Sequence, residues 1–211
     1  IIGGILQWVV FKDTKWDGLM KGKKLESLMK KWTEGKWMRE SNIPLAITAV
    51  DINTGRTVIF VSSKRKLDDD LYTIYRDDVP IYQAVRASIA IPVIFKPINL
   101  HGMRLVDGGV TESVPTGVLK KMGAKKVIGI NLGYSGQRRS EVDNIWEIGS
   151  QSIDIMSYQI MKYRTEESDY IINPHIYDTG MMEVERIPEL IERGYQTVKN
   201  SLYSINKAIN I

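Results

Sequence analysis

Apolar positions along the chain alternate between helical spacing and short dense runs. Leu25, Leu28, Met29 and Trp32 recur at i, i+3, i+4 and i+7, with lysines and glutamates opposite, which predicts an amphipathic helix over residues 24 to 37. "PLAITAVDINTGRTVIFVSS" (44–63) holds two β runs joined at "NTG", a hairpin signal. Pro80 suits the first turn of a helix over "IYQAVRASIA", with Ile81, Ala84, Val85 and Ser88 on one face and Pro92 as its stop. "PVIFKPINLHGMRLVDGG" (92–109) predicts a second hairpin, turning at His101-Gly102. A helix then follows Ser113 and Pro115, carries Val118, Leu119 and Met122, and ends at Gly123. "KKVIGINLG" is a continuous apolar run, which predicts a strand buried on both faces of a parallel sheet. A long helix follows, with Ile145, Ile148, Ser152, Ile153, Met156 and Ile160 on one stripe. "DYIINP" is a last short strand, and a C-terminal helix carries Ile187, Leu190, Ile191, Val198, Leu202 and Ile205. Helices alternate with strands, and buried-type strands sit among hairpins. That pattern predicts an α/β fold with a mixed sheet. No repeat, low-complexity tract or linker interrupts it, so residues 1–211 read as a single domain.

Composition adds constraints rather than a class. Hydrophobic residues make up 43% and charged ones 26%, as in ordinary globular chains. There is no cysteine, which excludes a disulfide framework and a cysteine nucleophile and points to a reducing, cytoplasmic setting. No apolar run approaches the roughly 20 residues of a membrane span. The chain opens "IIGGILQWVV", without a methionine, and predicts further residues before Ile1 that hold one or two strands of the sheet. Losing them would leave an open apolar edge.

Charge is uneven. The formal net charge is +4, yet residues 12 to 39 hold nine basic and four acidic residues. Trp8, Trp16, Trp32 and Trp37 lie in or beside this stretch. Two readings stand. In one, tryptophans sit at lipid headgroup level and Lys23, Lys24, Lys30 and Lys31 attract anionic lipid. In the other, Trp32 is core and the lysines are solvated. No motif supports nucleic-acid binding.

The chemistry centres on "RLVDGGVTESVP", residues 104 to 115. Asp107 ends a short apolar run, and ligands of open α/β sheets bind at strand C-termini. Gly108 and Gly109 let the backbone turn sharply and let another segment approach closely. By spacing alone, the same residues also describe a turn with a solvated aspartate.

The wider run "AVRASIAIPVIFKPINLHGMRLVDGGVTESVP" resembles the patatin-like phospholipase family, with its A-S-x-A-x-P segment, hairpin and D-G-G. "IPLAITAVDINTGRTVIF", "MGAKKVIGINLGY" and "GLMKGKKLESLMKKW" resemble further segments of that family, so the likeness covers about residues 18 to 210. One departure is visible: Ser113 stands where the family usually has asparagine. The resemblance implies a three-layer fold whose mixed, mostly parallel central sheet is flanked by helices. It implies a serine acyl hydrolase acting on a lipid or another carboxylic ester through a Ser–Asp dyad, with no cofactor and no metal. By motif Asp107 is the dyad acid, and Gly108 and Gly109 shape the turn that holds it. The nucleophile would occupy a G-x-S-x-G elbow, with a glycine-rich loop as oxyanion hole.

No serine of this chain lies in G-x-S-x-G. Ser135, in "LGYSGQ", is one residue out of frame, and Ser88 reads as a small packing residue on a helix face. His101 reads as a hairpin-turn residue, and His175 lies near a strand end. Two scattered histidines without cysteine do not suggest a metal site. The resemblance therefore implies a domain lacking its N-terminal part, inactive as these 211 residues alone. A non-catalytic patatin-like binding or regulatory module is the alternative.

Overall fold

The computed structural model describes residues 20–134, 136, 145–164, 168–176, 178, 179 and 183–209. Trp8, Trp16, Ser135 and the opening "IIGG" lie outside the described residues.

The first hairpin forms where "NTG" places it. β1 (Ala46–Asp51) and β2 (Thr57–Val61) pair antiparallel, with Ala46 opposite Val61 and Val50 opposite Thr57. The buried Asp51 side chain organises the turn. Its Oδ1 accepts from Asn53 N at 3.3 Å and from Arg104 N at 3.1 Å, and its Oδ2 accepts from the Thr54 hydroxyl at 2.7 Å. One carboxylate thus holds the turn and ties it to the second hairpin. That hairpin, β4 (Ile98–Leu100) and β5 (Met103–Asp107), turns at His101 and Gly102, both with positive φ.

β3 (Thr73–Arg76) adds parallel to β2, and β5 adds antiparallel to β1, in the order β3-β2-β1-β5-β4. All five residues of β2 are buried because both its faces are covered. Val58 and Phe60 pack with Met38, Val79, Ala84 and Ala87, which brings helix α2 (Ile81–Ser88) onto one face. Ile59 and Val61 pack with Leu67, Tyr75 and Val118, which brings helix α3 (Thr116–Lys121) onto the other. The fold is therefore a mixed sheet flanked by helices in three layers. Among the described strands of this sheet only β2–β3 is parallel, a smaller parallel share than the resemblance implies. Short turns such as those at 52–56 and 101–102 can join only antiparallel neighbours.

A separate parallel pair, β6 (Ile128–Ile130) with β7 (Tyr170–Ile172), is joined through helix α4 (Ile145–Arg164). β6 is not buried on both faces as its composition predicts. Gly129 is packed by Ile171, Val114 and Thr116, while Ile128 and Ile130 are 39% and 55% exposed. Only one side of the strand meets the rest of the domain among the described residues. The predicted stripe of α4 is likewise largely exposed at Ile148, Ile153 and Met156, and in helix α5 (Ile187–Ile209) Ile205 is the buried position among the described side chains.

Helix α1 (Lys23–Trp32) lies on α2, shorter than the predicted 24–37 span. Arg86 fastens it there. This side chain is 1% exposed, and its Nη2 donates to Lys21 O at 3.0 Å and Lys96 O at 2.9 Å. Gly22, with φ of 67°, closes onto the guanidinium, where a Cβ would stand 2.5 Å from Nε. The face predicted for α2 is therefore shifted: Ala84, Arg86 and Ala87 are buried and Ser88 is half-buried.

Replacing Asp51 by Ala leaves three donors of the two hairpins without their shared acceptor. Hydrogen bonds to a charged group are worth more than neutral ones, so Asp51→Ala should lower stability by about 2–3 kcal/mol. The shift of the urea unfolding midpoint measures this.

Candidate active site

Asp107 is the last residue of β5, opposite Ala49 of β1. Its N–H donates to Ala90 O at 3.0 Å, which ties the end of the strand to the exit of α2. Beyond it the chain makes a 3₁₀ turn, Gly108–Val110, and Asp107 caps that turn itself: Oδ1 accepts from Gly109 N at 2.7 Å. Oδ2 carries no hydrogen bond among the described residues.

The two glycines serve space rather than dihedral freedom. Neither has positive φ. Gly108 presses on β1, where a Cβ would stand 2.6 Å from Thr48 O and 2.3 Å from Thr48 Oγ1. At Gly109 a Cβ would stand 2.9 Å from Asp107 Oδ1 and push the carboxylate away. Of the two expected roles, close approach is the one the turn uses.

The turn is anchored from three further directions. Ser113 Oγ donates to Gly109 O at 3.2 Å, which gives the departure from the family pattern a local function. Ser157, on α4, donates to the same carbonyl at 3.4 Å. The Thr111 and Thr57 hydroxyls meet at 2.9 Å and pin the far end of the turn to the start of β2. Thr48, Ala90 and Ser157 were not legible as site residues. They stand 59, 17 and 50 positions from Asp107 in a chain where no motif links them.

Asp107 is half-buried, and loss of solvent raises its carboxyl above the ordinary aspartate value. The Gly109 N–H opposes this by stabilising the ionised form. The result is a carboxylate with one oxygen fixed, one unengaged by the described residues, and a raised affinity for a proton. Such a group can take a proton from a hydroxyl brought to it. Ser113 and Ser157 use their hydroxyls on Gly109 O. His101 lies at the opposite end of β5, 4.0 Å from Asp78, and His175 follows β7, where its carbonyl accepts from Arg193 Nη1 at 3.1 Å. Neither histidine is placed between Asp107 and a partner.

A family model described as patatin-like phospholipase matches residues 6–120, which include both hairpins, α2 and the Asp107 turn. The protein YqhO of Bacillus subtilis (strain 168) is 30% identical over 157 residues, 68% of this chain and 50% of that protein. An NTE family protein of Mycobacterium tuberculosis (strain ATCC 25618 / H37Rv) is 29% identical over 105 residues, 49% of this chain and 25% of that protein. Lysophospholipase NTE1 of Scheffersomyces stipitis is 33% identical over 57 residues, 27% of this chain and 4% of that protein. The chain spans about half the length of YqhO and a smaller share of the other two.

The raised carboxyl predicts a pH-dependent stability. The folded state holds the Asp107 proton more tightly than the unfolded chain does. Stability from this group is therefore full below the unfolded value of about 3.9 and is lost as pH rises through the folded value. Asn keeps an acceptor for Gly109 N but has no charge to bury. Asp107→Asn should thus unfold at a higher denaturant concentration than wild type at neutral pH, with the gain vanishing at about pH 3. A variant less stable than wild type at neutral pH contradicts the assigned burial cost.

Proposed function

The chain belongs to the patatin-like phospholipase family, and on that premise we propose that it carries the acid of a Ser–Asp dyad in a serine acyl hydrolase acting on lipid or other carboxylic esters. The observation that supports this most is the state of Asp107: at a strand end, half-buried, with Oδ1 held by Gly109 N and its carboxyl raised. The lysophospholipase name of one relative agrees with a lipid ester as substrate.

The chain contains no G-x-S-x-G, so we take the nucleophile and oxyanion hole from sequence outside these 211 residues. In the proposed reaction Asp107 accepts the serine Oγ proton as Oγ attacks the ester carbonyl carbon. The proton then passes to the leaving alcohol as the carbonyl–oxygen bond breaks, which leaves an acyl-serine. Water attacks that ester while Asp107 takes a proton from it, the serine oxygen is reprotonated, and the carboxylic acid departs. Burial makes Asp107 a stronger base than a solvated aspartate and brings it closer to neutral pH, where general-base catalysis is more effective. Gly108 and Gly109 hold that carboxylate in place. No metal or cofactor enters this chemistry. No described helix is long and apolar enough to cross a membrane. The proposed setting, from the cysteine-free composition and the lipid substrate, is the cytoplasm at the membrane periphery.

In the intact protein, Asp107→Asn should lower kcat for a short-chain ester and for a lysophospholipid by at least about 10²-fold, with little change in KM. Wild-type turnover by the variant returns Asp107 to a structural turn. A wild-type protein that hydrolyses neither substrate favours the non-catalytic binding module.

A further inference from the structure

Helix α1 has no buried residue although its composition is strongly amphipathic. Leu25 and Met29 are half-buried, and Lys30 Nζ lies 5.6 Å from the Tyr82 ring centre on α2. The outer edge of the same apolar stripe is exposed. Leu28 and Trp32, four residues apart, form one row, and Trp32 is 67% exposed. Trp32 is therefore not the core residue that the simpler sequence reading required. Lys24 and Lys31, both exposed, stand four residues before and three residues after Leu28, so Lys24 continues that row towards the helix N-terminus and Lys31 lies beside it. The chain leaving the helix repeats the combination: Trp37 is exposed, and the Arg39 guanidinium lies 5.2 Å from its ring centre.

The charge around this row selects the partner. Residues 20 to 36 hold six lysines against two glutamates, and Glu34 is already paired with Lys36 at 2.9 Å. A polyanion satisfies the lysines but leaves Leu28 and the indole in water. An apolar surface satisfies Leu28 and Trp32 but not the lysines. A bilayer with anionic headgroups offers both at the depth each needs: acyl carbon for Leu28, the headgroup boundary for the indole, and phosphate for the ammonium groups.

We propose that the Leu28–Trp32 row of α1, with Lys24 and Lys31 next to it, is a docking surface for an anionic lipid bilayer. This extends the lipid-hydrolase reading by naming the face that meets the membrane. That face is joined to Asp107 through α2, on which α1 packs and whose exit carbonyl at Ala90 holds the Asp107 N–H. Binding needs no turnover, so it is tested separately from hydrolysis.

The test is co-sedimentation of the intact protein with large vesicles of three parts phosphatidylcholine to one part phosphatidylglycerol, at low ionic strength. Wild type should bind these and bind pure phosphatidylcholine vesicles far less. Each lysine near an anionic surface contributes about 5-fold, so Lys24→Gln with Lys31→Gln should weaken the partition by about 30-fold. Trp32→Ala should weaken it by about 5-fold or more. The same loss of charge elsewhere, Lys199→Gln with Lys207→Gln on α5, should leave it unchanged. Asp107→Asn should bind as wild type does, which separates docking from catalysis. The assignment is overturned by unchanged partition of the α1 variants, by an equal loss in the α5 control, or by binding to a single-stranded polynucleotide without binding to the vesicles.

Discussion

Gly108 lies against β1 at a separation that admits only hydrogen. A Cβ there would overlap the carbonyl oxygen, the carbonyl carbon and the hydroxyl of Thr48, with backbone atoms that cannot swing aside. Because the chain can nest on β1 at this point, it leaves β5 without separating from the sheet. Asp107 stays paired opposite Ala49 while its side chain folds back onto Gly109 N. The reference for this geometry is stiff. β1 sits between β2 and β5, and β2 beside it is buried along its whole length by helices on both faces.

A carboxylate placed this way is costly to the fold and useful to chemistry for the same reason. Burial raises the free energy of the ionised form, which weakens the native state at neutral pH and strengthens the group as a base. The Gly109 N–H offsets part of that cost and fixes the orientation of one oxygen. Gly109 is in turn held through its carbonyl by Ser113, from the turn itself, and by Ser157, from α4. The long helix after β6 is thereby coupled to the acid through the Gly109 carbonyl.

Features carried by local spacing were legible in the sequence. The hairpins at "NTG" and His101-Gly102, the helix after Pro80 and the short helix ending at Gly123 all depend on residues within a few positions of one another. Asp107 at a strand end belongs to the same class. Features that depend on distant neighbours were not legible. The run "KKVIGINLG" has the composition of a doubly buried strand, yet the side carrying Ile128 and Ile130 is open among the described residues. Trp32 has helical spacing with Leu25 and Leu28, but spacing does not say which side of a helix has a partner. The face of α2 shifted because Arg86, a residue no hydrophobic pattern places inside, is held there by the carbonyls of Lys21 and Lys96. Thr48 carried no signal at all, since its role is to be close to a residue without a side chain.

In the proposed reaction Asp107 takes the proton of a nucleophilic serine. A fluorophosphonate reacts with a serine oxygen as its proton leaves, so its labelling rate on the intact protein, followed against pH, reads that step without substrate binding or product release. The wild-type rate should fall as pH is lowered through a carboxyl titrating above the ordinary aspartate value of about 3.9. The Asp107→Asn protein should be labelled at least about 10²-fold more slowly and without that acid limb. Equal rates and equal pH profiles for the two proteins would remove Asp107 from this step.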